Sequence, residues 1–572
     1  MKEYSAGQPI QSDGSNDPAS VETVNTTTRQ KVMVIIGVML GMLLAALDQT
    51  IVGTAMPRVI AELNGLEHYA WVFTAYMLTS TVSVPIYGKL SDIYGRRLFF
   101  VTGMVLFLIG SALSGMSQDM VQLILFRALQ GLGAGAMMPI AQAIIGDIFP
   151  PAERGKWQGL MMAIFGLSTI AGPTLGGWIT DNLGWRWVFY VNLPLGIVAI
   201  AVAGFVLPKS VRRQNHKIDY LGTVTLIGSA VPLLLAFSWA GTQYPWLSGQ
   251  IIGLLTVAVV MGVIFFLTER KATEPIISPS LFSNSIFSVS VIAVFLLSVG
   301  MMGSTMYLPL FVQGVIGESA TGSGVILTPM MLGFMVSSIV GGQLMSRTGR
   351  YKFLALFSFF LGAIGMALLA MMSINTTSLE VVRNMVVTGL GIGAGMSLFT
   401  IVVQNAFNRD KLGEVTAGLT FFRSIGGTIG VAILGTVMSN TFQNSLQSNL
   451  PETFKKLVPP DKIASLQNPQ ILLSPGVTDQ IKKGFSAFGP QGQELFNQLM
   501  TAIRQSLVTA ITGLFWVAVI SMVLALIVTL FLKEIPLRKT LHHPVAEAIE
   551  EVSPGPEAAL SGEVDLDVVE KK

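Results

Sequence analysis

Cysteine is missing from all 572 residues. No disulfide can staple an external loop, no thiol can act as a nucleophile, and cysteine metal sites are excluded. Histidine is nearly as scarce: His68, His216, His542 and His543 are the four, and all fall outside the apolar runs. The last two read as tail composition rather than as metal ligands. With no cluster of His, Cys, Asp or Glu at one interface, a polytopic membrane enzyme has no candidate centre; no metal and no cofactor is expected. Charge is thin as well, at 12% of residues against about 25% in soluble globular domains. No G-x-x-x-x-G-K-[ST] loop occurs, so the chain has no ATP site of its own and is not a primary pump. The first 30 residues lack the basic start and apolar core of a signal peptide, leaving the first spanning helix to serve for targeting.

What the chain has is apolar length. Hydrophobic residues make up 51% and mean hydropathy is +0.64. Fourteen windows approach or exceed the roughly 20 residues that span a bilayer: 32–56, 69–88, 98–117, 120–146, 156–180, 187–207, 220–241, 250–269, 286–312, 322–346, 352–372, 380–405, 414–440 and 505–532. The expected fold class is an all-α polytopic membrane protein. An even count puts both termini on one side. With the N-terminus inside, inner loops hold Lys89, Arg96, Arg97, Arg154, Lys156, Lys209, Arg212, Arg213, Lys217, Arg270, Lys271, Arg347, Arg350, Lys352, Arg409 and Lys411; short outer loops hold only Arg58 and Arg186. Both termini are therefore expected in the cytoplasm. The same loop placement explains the net charge of +3 without nucleic acid as a partner; the bilayer itself is the expected one.

Residues 1–31 are expected to form a disordered tail, 32–207 a first six-helix bundle, and 208–271 a linker carrying windows seven and eight. Residues 272–535 form a second six-helix bundle, and 536–572 an acidic disordered tail. A long external loop, 441–504, is either a partly helical cap or plain decoration. A weak repeat supports two parallel halves: "GKLSDIYGRR" (88–97) resembles "GQLMSRTGRY" (342–351), with Asp92 replaced by Ser346, and "GLGAGAMMP" (131–139) resembles "GIGAGMSLF" (391–399). Parallel six-helix repeats build one large transporter class.

"GLGAGA" (131–136) and "GLGIGA" (389–394) fit a dinucleotide fingerprint, but that fingerprint needs a strand-to-helix turn. Inside apolar windows, small residues four apart read instead as close helix packing. "GPTLGG" (172–177) reads as a kinked packing helix, or as a bend controlling a central cavity. The buried-charge candidates are Asp48, Arg127, Arg383 and Arg423, with Glu414 at the inner end of window thirteen. Each charge at a helix centre costs roughly 2.5–3.5 kcal/mol on insertion scales, which marks functional candidates. Arg383 lies near the outer surface and is expected to snorkel. Burial favours the protonated form of a carboxyl, so Asp48 is the candidate proton carrier; its alternative is a fixed ion pair or a helix–helix hydrogen bond. The paired methionines at 137–138, 161–162, 301–302 and 330–331 are expected to divide between cavity wall and lipid.

Five motifs in order make the chain resemble the major facilitator superfamily, and within it the fourteen-helix drug:proton antiporters. They are "LDQTIVGTAMP" (47–57, with Gly53 in place of the usual Asn), "GKLSDIYGRR", "FRALQGLGAG" (126–135), "GLSTIAGPTLGG" (166–177) and "WRWVFYVNLPLG" (185–196). The resemblance implies that Asp48 and Arg127 couple protonation to shape. It places Gly88, Asp92, Gly95, Arg96 and Arg97 in the signature loop that latches the two halves. Gln130 and Gly131 belong to the helix 4 motif; Gly166, Gly172, Pro173, Gly176 and Gly177 set antiport geometry. Glu414 and Arg423 are secondary candidates. Windows 2, 5, 9, 10 and 11 hold no Asp or Glu, so small neutral or monovalent lipophilic substrates are expected rather than divalent cations. The expected function is proton-coupled export of lipophilic drugs or other amphiphiles across a bacterial inner membrane, by a monomer. Alternatives are a dedicated exporter of one lipid or secondary metabolite and, remotely, a polytopic membrane enzyme.

Overall fold

A computed structural model describes residues 28–63, 68–207, 218–241, 243–318, 320–450, 482–485 and 489–538. Fourteen long helices account for nearly all of them. They are α1 (Thr28–Leu63), α2 (Tyr69–Tyr94), α3 (Arg96–Met116), α4 (Met120–Ile148), α5 (Pro151–Asn182), α6 (Trp187–Val206), α7 (Tyr220–Trp239), α8 (Gly249–Glu269), α9 (Ser285–Phe311), α10 (Ala320–Thr348), α11 (Lys352–Ala370), α12 (Ser378–Ala406), α13 (Leu412–Asn449) and α14 (Gly489–Leu530). Among the described residues the only β-pairing is one isolated bridge, Ala240 with Tyr244.

Local chemistry sets the ends. Asp119, Asp219, Ser248 and Asn284 cap α4, α7, α8 and α9 through their side chains, and Thr377 with Glu380 forms a capping box on α12. α6 breaks after Tyr190, where Pro194 removes the N–H that would bond the Tyr190 carbonyl. The turns α2–α3 and α10–α11 pivot on Gly95 (φ +103°) and Gly349 (φ +68°). These two glycines are equivalent in the sequence repeat, and a left-handed turn explains why both are glycine.

Thirteen helices are long and apolar enough to cross a membrane. α2 is long enough, but Thr79, Ser80, Thr81 and Ser83 thin its apolar content. It crosses nonetheless, because it joins the far end of α1 to the start of α3 and packs along α4 and α13. Some helices run beyond their windows: α13 continues to Asn449 and α14 begins at Gly489, so both ends of the expected 441–504 loop are helical. Residues 451–481 lie outside the described residues, as do 1–27 and 539–572 with His542 and His543; residues 28–31 of the expected tail instead open α1. Arg58, expected in an outer loop, instead lies within α1 and pairs with Glu62 at 3.9 Å.

Helices α1–α6 pack on one another, as do α9–α14. Phe100, Met104 and Phe107 centre the first core; Phe287, Phe359 and Phe399 centre the second. The inserted pair α7–α8 packs on itself, and Leu226 and Leu234 of α7 meet Val84 of α2 and Phe421 of α13. Burial grades the helices: 83% of the apolar window of α12 is buried against 11% for α8, which makes α12 central and α8 peripheral. Both described chain ends lie at one end of the bundle. Lys31 Nζ stands 5.7 Å from the Phe149 ring, and Ala152 N–H donates to the Arg538 carbonyl at 3.4 Å.

Candidate functional site

Asp48 sits in the middle of α1 with 1% of its surface exposed. Arg127 Nη1 donates to its Oδ2 at 2.7 Å; Gln130 Nε2 and Asn192 Nδ2 donate to Oδ1 at 2.8 and 2.9 Å. Arg127 and Gln130 lie one turn apart on α4 and bond each other at 2.7 Å. Asn192, at the start of the second part of α6, also donates to Ser111 Oγ at 3.0 Å. The Arg127 guanidinium lies 4.1 Å from the Tyr76 ring centre, a cation–π contact. The carboxylate is thus satisfied by three donors from two helices, which offsets the cost of burying it. The sequence candidates Asp48, Arg127 and Gln130 meet here, in the ion-paired arrangement that was the alternative to a free acid. Asn192, Ser111 and Tyr76 were not singled out from the sequence. A lone Asn inside the apolar "FYVNLPLG" was the available signal.

A second cluster joins the halves. Asp92, in the last turn of α2, accepts from the N–H groups of Gly413 and Glu414 at 2.9 and 2.7 Å. A carboxylate here satisfies free donors at the N-terminus of α13 and faces the positive end of its dipole. Arg96 pairs with Asp92 and with Asp147 (3.0 Å), and donates to Ser91 Oγ at 2.8 Å. Asp147 in turn stands 3.8 Å from Arg409 of the second half. Gly88 lets α2 approach closely: a Cβ there would meet the Gly413 carbonyl at 2.9 Å. Arg97 does not join this cluster; it reaches the Leu207 carbonyl within its own half at 3.4 Å. Glu414 accepts from Ser278 N–H at 2.7 Å and lies 3.8 Å from Lys89, which pairs with Glu274 at 2.8 Å. In the repeat, Ser346 bonds back to its own helix at 2.9 Å, so among the described residues the latch is one-sided.

At the same end α5 packs on α10, with Gly155 against Gly342 and Gly159 against Ile339. Beside them Gln404 of α12 ties four helices. It accepts from Arg154 Nη1 (α5) at 3.3 Å, and donates to the Gln142 carbonyl (α4) at 3.1 Å and Thr416 Oγ1 (α13) at 3.0 Å. Neither Gln404 nor Arg154 was a sequence candidate for a site. Of the antiporter motif, Gly172 and Gly176 seat α5 on Thr50 and Thr54 of α1, while Thr50 Oγ1 donates to the Ser168 carbonyl at 3.1 Å. Pro173 lies within a continuous α5. A Cβ on Gly166 would stand 3.8 Å from the Met331 carbonyl across the halves, and one on Gly177 would meet nothing. Gly131 packs on α2 at Tyr76 and Thr79, and Gly133 on α3 at Phe107; the glycine runs are packing surfaces. Arg383 is exposed and bonds Asn384 Oδ1 at 3.1 Å.

At the opposite end Trp185 Nε1 and Arg186 Nη1 donate to Glu62 Oε2 at 2.8 and 3.1 Å. Glu62 lies past the spanning part of α1, and the Trp185 hydrogen bond holds its carboxyl below the ordinary value of 4.5.

Between the halves is a cavity of about 120 Å³ whose lining includes Met42, Gln49, Tyr76, Met138, Phe165, Thr420 and Ser424. Drug-sized ligands occupy about 300–1,000 Å³, so the halves must part to admit one. Of the paired methionines only Met138 contributes to this lining; Met137, Met161, Met162 and Met330 are buried in packing.

Comparison with known proteins agrees with the fold. The family model described as Major Facilitator Superfamily matches residues 38–431. A Bacillus subtilis (strain 168) protein named Multidrug transporter protein MdtP is 40% identical over 519 residues, covering 89% of this chain and 94% of its own. Multidrug resistance protein 3 of the same organism is 39% identical over 520 residues, covering 90% and 98%. Among solved structures, a proton:xylose symporter bound to a deoxyglucose analogue superposes with TM-score 0.56 at 13% identity. That match covers 92% of this chain and 100% of the symporter. The chain belongs to the major facilitator superfamily, among its drug-efflux transporters, and is not an enzyme.

Proposed function

We propose that this major facilitator protein is a proton-coupled antiporter that exports lipophilic or amphiphilic compounds across the bacterial inner membrane, as a monomer and without a cofactor. Asp48 carries the reading. Its charge is neutralised by Arg127 and held by donors from α4 and α6. A proton on Asp48 would leave Arg127 as an uncompensated buried cation, a costly state. Protonation therefore favours another packing of α1 on α4. α1 rests on α5 through Thr50 and Thr54, and α5 faces α10 of the other half, so a shift of α1 has a mechanical route to the interface. In this scheme residues 32–207 and 272–535 are the rocking bundles, 208–271 is the linker, and the Asp92 latch and Gln404 junction form the cytoplasmic gate. Loop basicity supports that sidedness; the relatives' names support drugs as cargo.

One proton suffices energetically. A charge crossing 100 mV gains about 2.3 kcal/mol, and one pH unit adds about 1.4. Together they sustain a gradient of several hundredfold for a neutral cargo.

The test is Nile red efflux from proteoliposomes under an imposed pH gradient, wild type against Asp48→Asn. The expected result is gradient-driven efflux by wild type and none by the variant, with dye binding retained. Equal efflux by both would remove Asp48 from coupling and turn attention to Glu414.

A further inference from the structure

Arg423 is a buried cation with no carboxylate paired to it among the described residues. It lies three turns into α13 and is 8% exposed. Nη2 reaches Thr400 Oγ1 of α12 at 3.4 Å, and neither Nε nor Nη1 has a hydrogen-bond partner among the described residues. The contrast with the first half is sharp. There Arg127 has Asp48, and Arg96 has Asp92 and Asp147. In the second half the helices carry three carboxylates, Glu380, Glu414 and Glu494. All three stand in the opening turns of their helices, so none lies on the membrane-interior stretch around Arg423. Asp48 is already taken. The described residues offer no counter-charge, and an uncompensated buried cation with free donors is unfavourable.

Position supplies the rest. Thr420 and Ser424, three residues before Arg423 and one after it, both line the cavity between the halves. Arg423 itself stands just behind that lining, with its guanidinium turned toward Thr400. The remaining lining is mainly apolar, with Met42, Met138, Val84 and Phe165.

We propose that Arg423 is the head-group site of the transported compound, and that the preferred cargo is an amphiphile with one anionic group, a carboxylate, sulfonate or phosphate, on an apolar body. The anion supplies the missing counter-charge by charge-assisted hydrogen bonds to Nε and Nη1, with the Thr420 and Ser424 hydroxyls beside it, and the body fills the apolar part of the cavity. This rests on reading the chain as an exporter, and it narrows that reading to a substrate class.

Binding tests it without any gradient, so failure of proton coupling and failure of this inference are separable. The full chain in phosphatidylcholine nanodiscs is titrated with three probes sharing one body: pyrenebutyrate, pyrenebutanol and pyrenebutyl-trimethylammonium. Wild type is expected to bind the carboxylate about tenfold or more tighter than the alcohol, the scale of one charged hydrogen-bonded contact, and the ammonium weakest. Arg423→Gln is expected to lose that preference while binding the alcohol as wild type does, and Arg423→Lys to keep part of it. Equal affinities for the three probes in wild type, or an undiminished carboxylate preference in Arg423→Gln, would overturn the proposal. If Arg423→Gln does not fold, the wild-type ranking and Arg423→Lys decide. Repeating the titration with phosphatidylglycerol present separates two sources of the same chemistry. Competition identifies an anionic lipid as an occupant, and unchanged affinity identifies a free amphiphile.

Discussion

At the scale of single residues, the Asp48 cluster shows how a few polar groups are made tolerable in an apolar interior. Each of its members has a partner on another helix, so each single loss should be felt by the others. Asn192→Ala removes a donor to the Asp48 carboxylate and to Ser111 at once. Loss of one hydrogen bond to a charged group costs about 1.5–3 kcal/mol. The expected outcome is a lower melting temperature in detergent and slower transport, with Asn192→Gln partly rescuing both; full wild-type transport by Asn192→Ala would take Asn192 out of the coupling unit. Asp48 and Arg127 were legible in the sequence because charge in an apolar run is conspicuous. Asn192 was not, because it is neutral, and its proximity to Asp48 depends on α6 returning beside α1 across 144 residues. Gln404 escaped notice for the same reason: an amide near a helix end looks ordinary until four helices converge on it, while Arg154 reads in the sequence only as an inner-loop charge.

At the scale of helices, each of the fourteen apolar windows falls on a helix, thirteen of them apolar enough to cross a membrane, but the windows missed the full lengths. A bilayer reads only the apolar part of a helix, and the polar ends of α13 ("SNTFQNSLQSN") and α14 ("GPQGQELFNQ") continue beyond it. The glycine runs were read correctly as packing surfaces because their setting, not their spacing, decides between a phosphate turn and a helix contact. Packing makes a position-specific prediction. A Cβ at Gly133 of α4 would stand 2.3 Å from the Phe107 backbone nitrogen of α3, whereas one at Gly253 of α8 meets nothing. Gly133→Leu should therefore force α3 from α4, costing at least the roughly 1–3 kcal/mol of an overpacked core. Gly253→Leu should leave melting temperature and transport near wild type. A thermal-unfolding comparison of the two variants in one detergent checks this; equal stability would mean that the α3–α4 contact is looser than the backbone indicates.

At the scale of the whole molecule, the polar contacts between halves gather at one end, with Asp92 on α13 and Gln404 among α4, α5, α12 and α13, beside the Gly155–Gly342 contact. The repeat does not reproduce the latch, since Ser346 replaces Asp92 and bonds within its own helix. One half therefore holds the other at this end through the Asp92 cap on α13, the Asp147–Arg409 and Lys89–Glu414 pairs and the Gln404 junction, contacts strong enough to hold a state and few enough in bonds to release it. The absence of cysteine makes this testable without background. Lys156 of α5 and Gln343 of α10 line one exposed cleft at that end, on opposite halves. A Lys156→Cys, Gln343→Cys chain should join efficiently through a short cleavable bis-maleimide, lose transport once joined, and regain it when the linker is cut. Adding Asp92→Asn, which removes the charge that Arg96 and the start of α13 share, should lower the yield of joining by letting the ends separate more often. Transport at the wild-type rate by the joined protein would mean that this end does not open during the cycle, and the gate would have to be sought elsewhere.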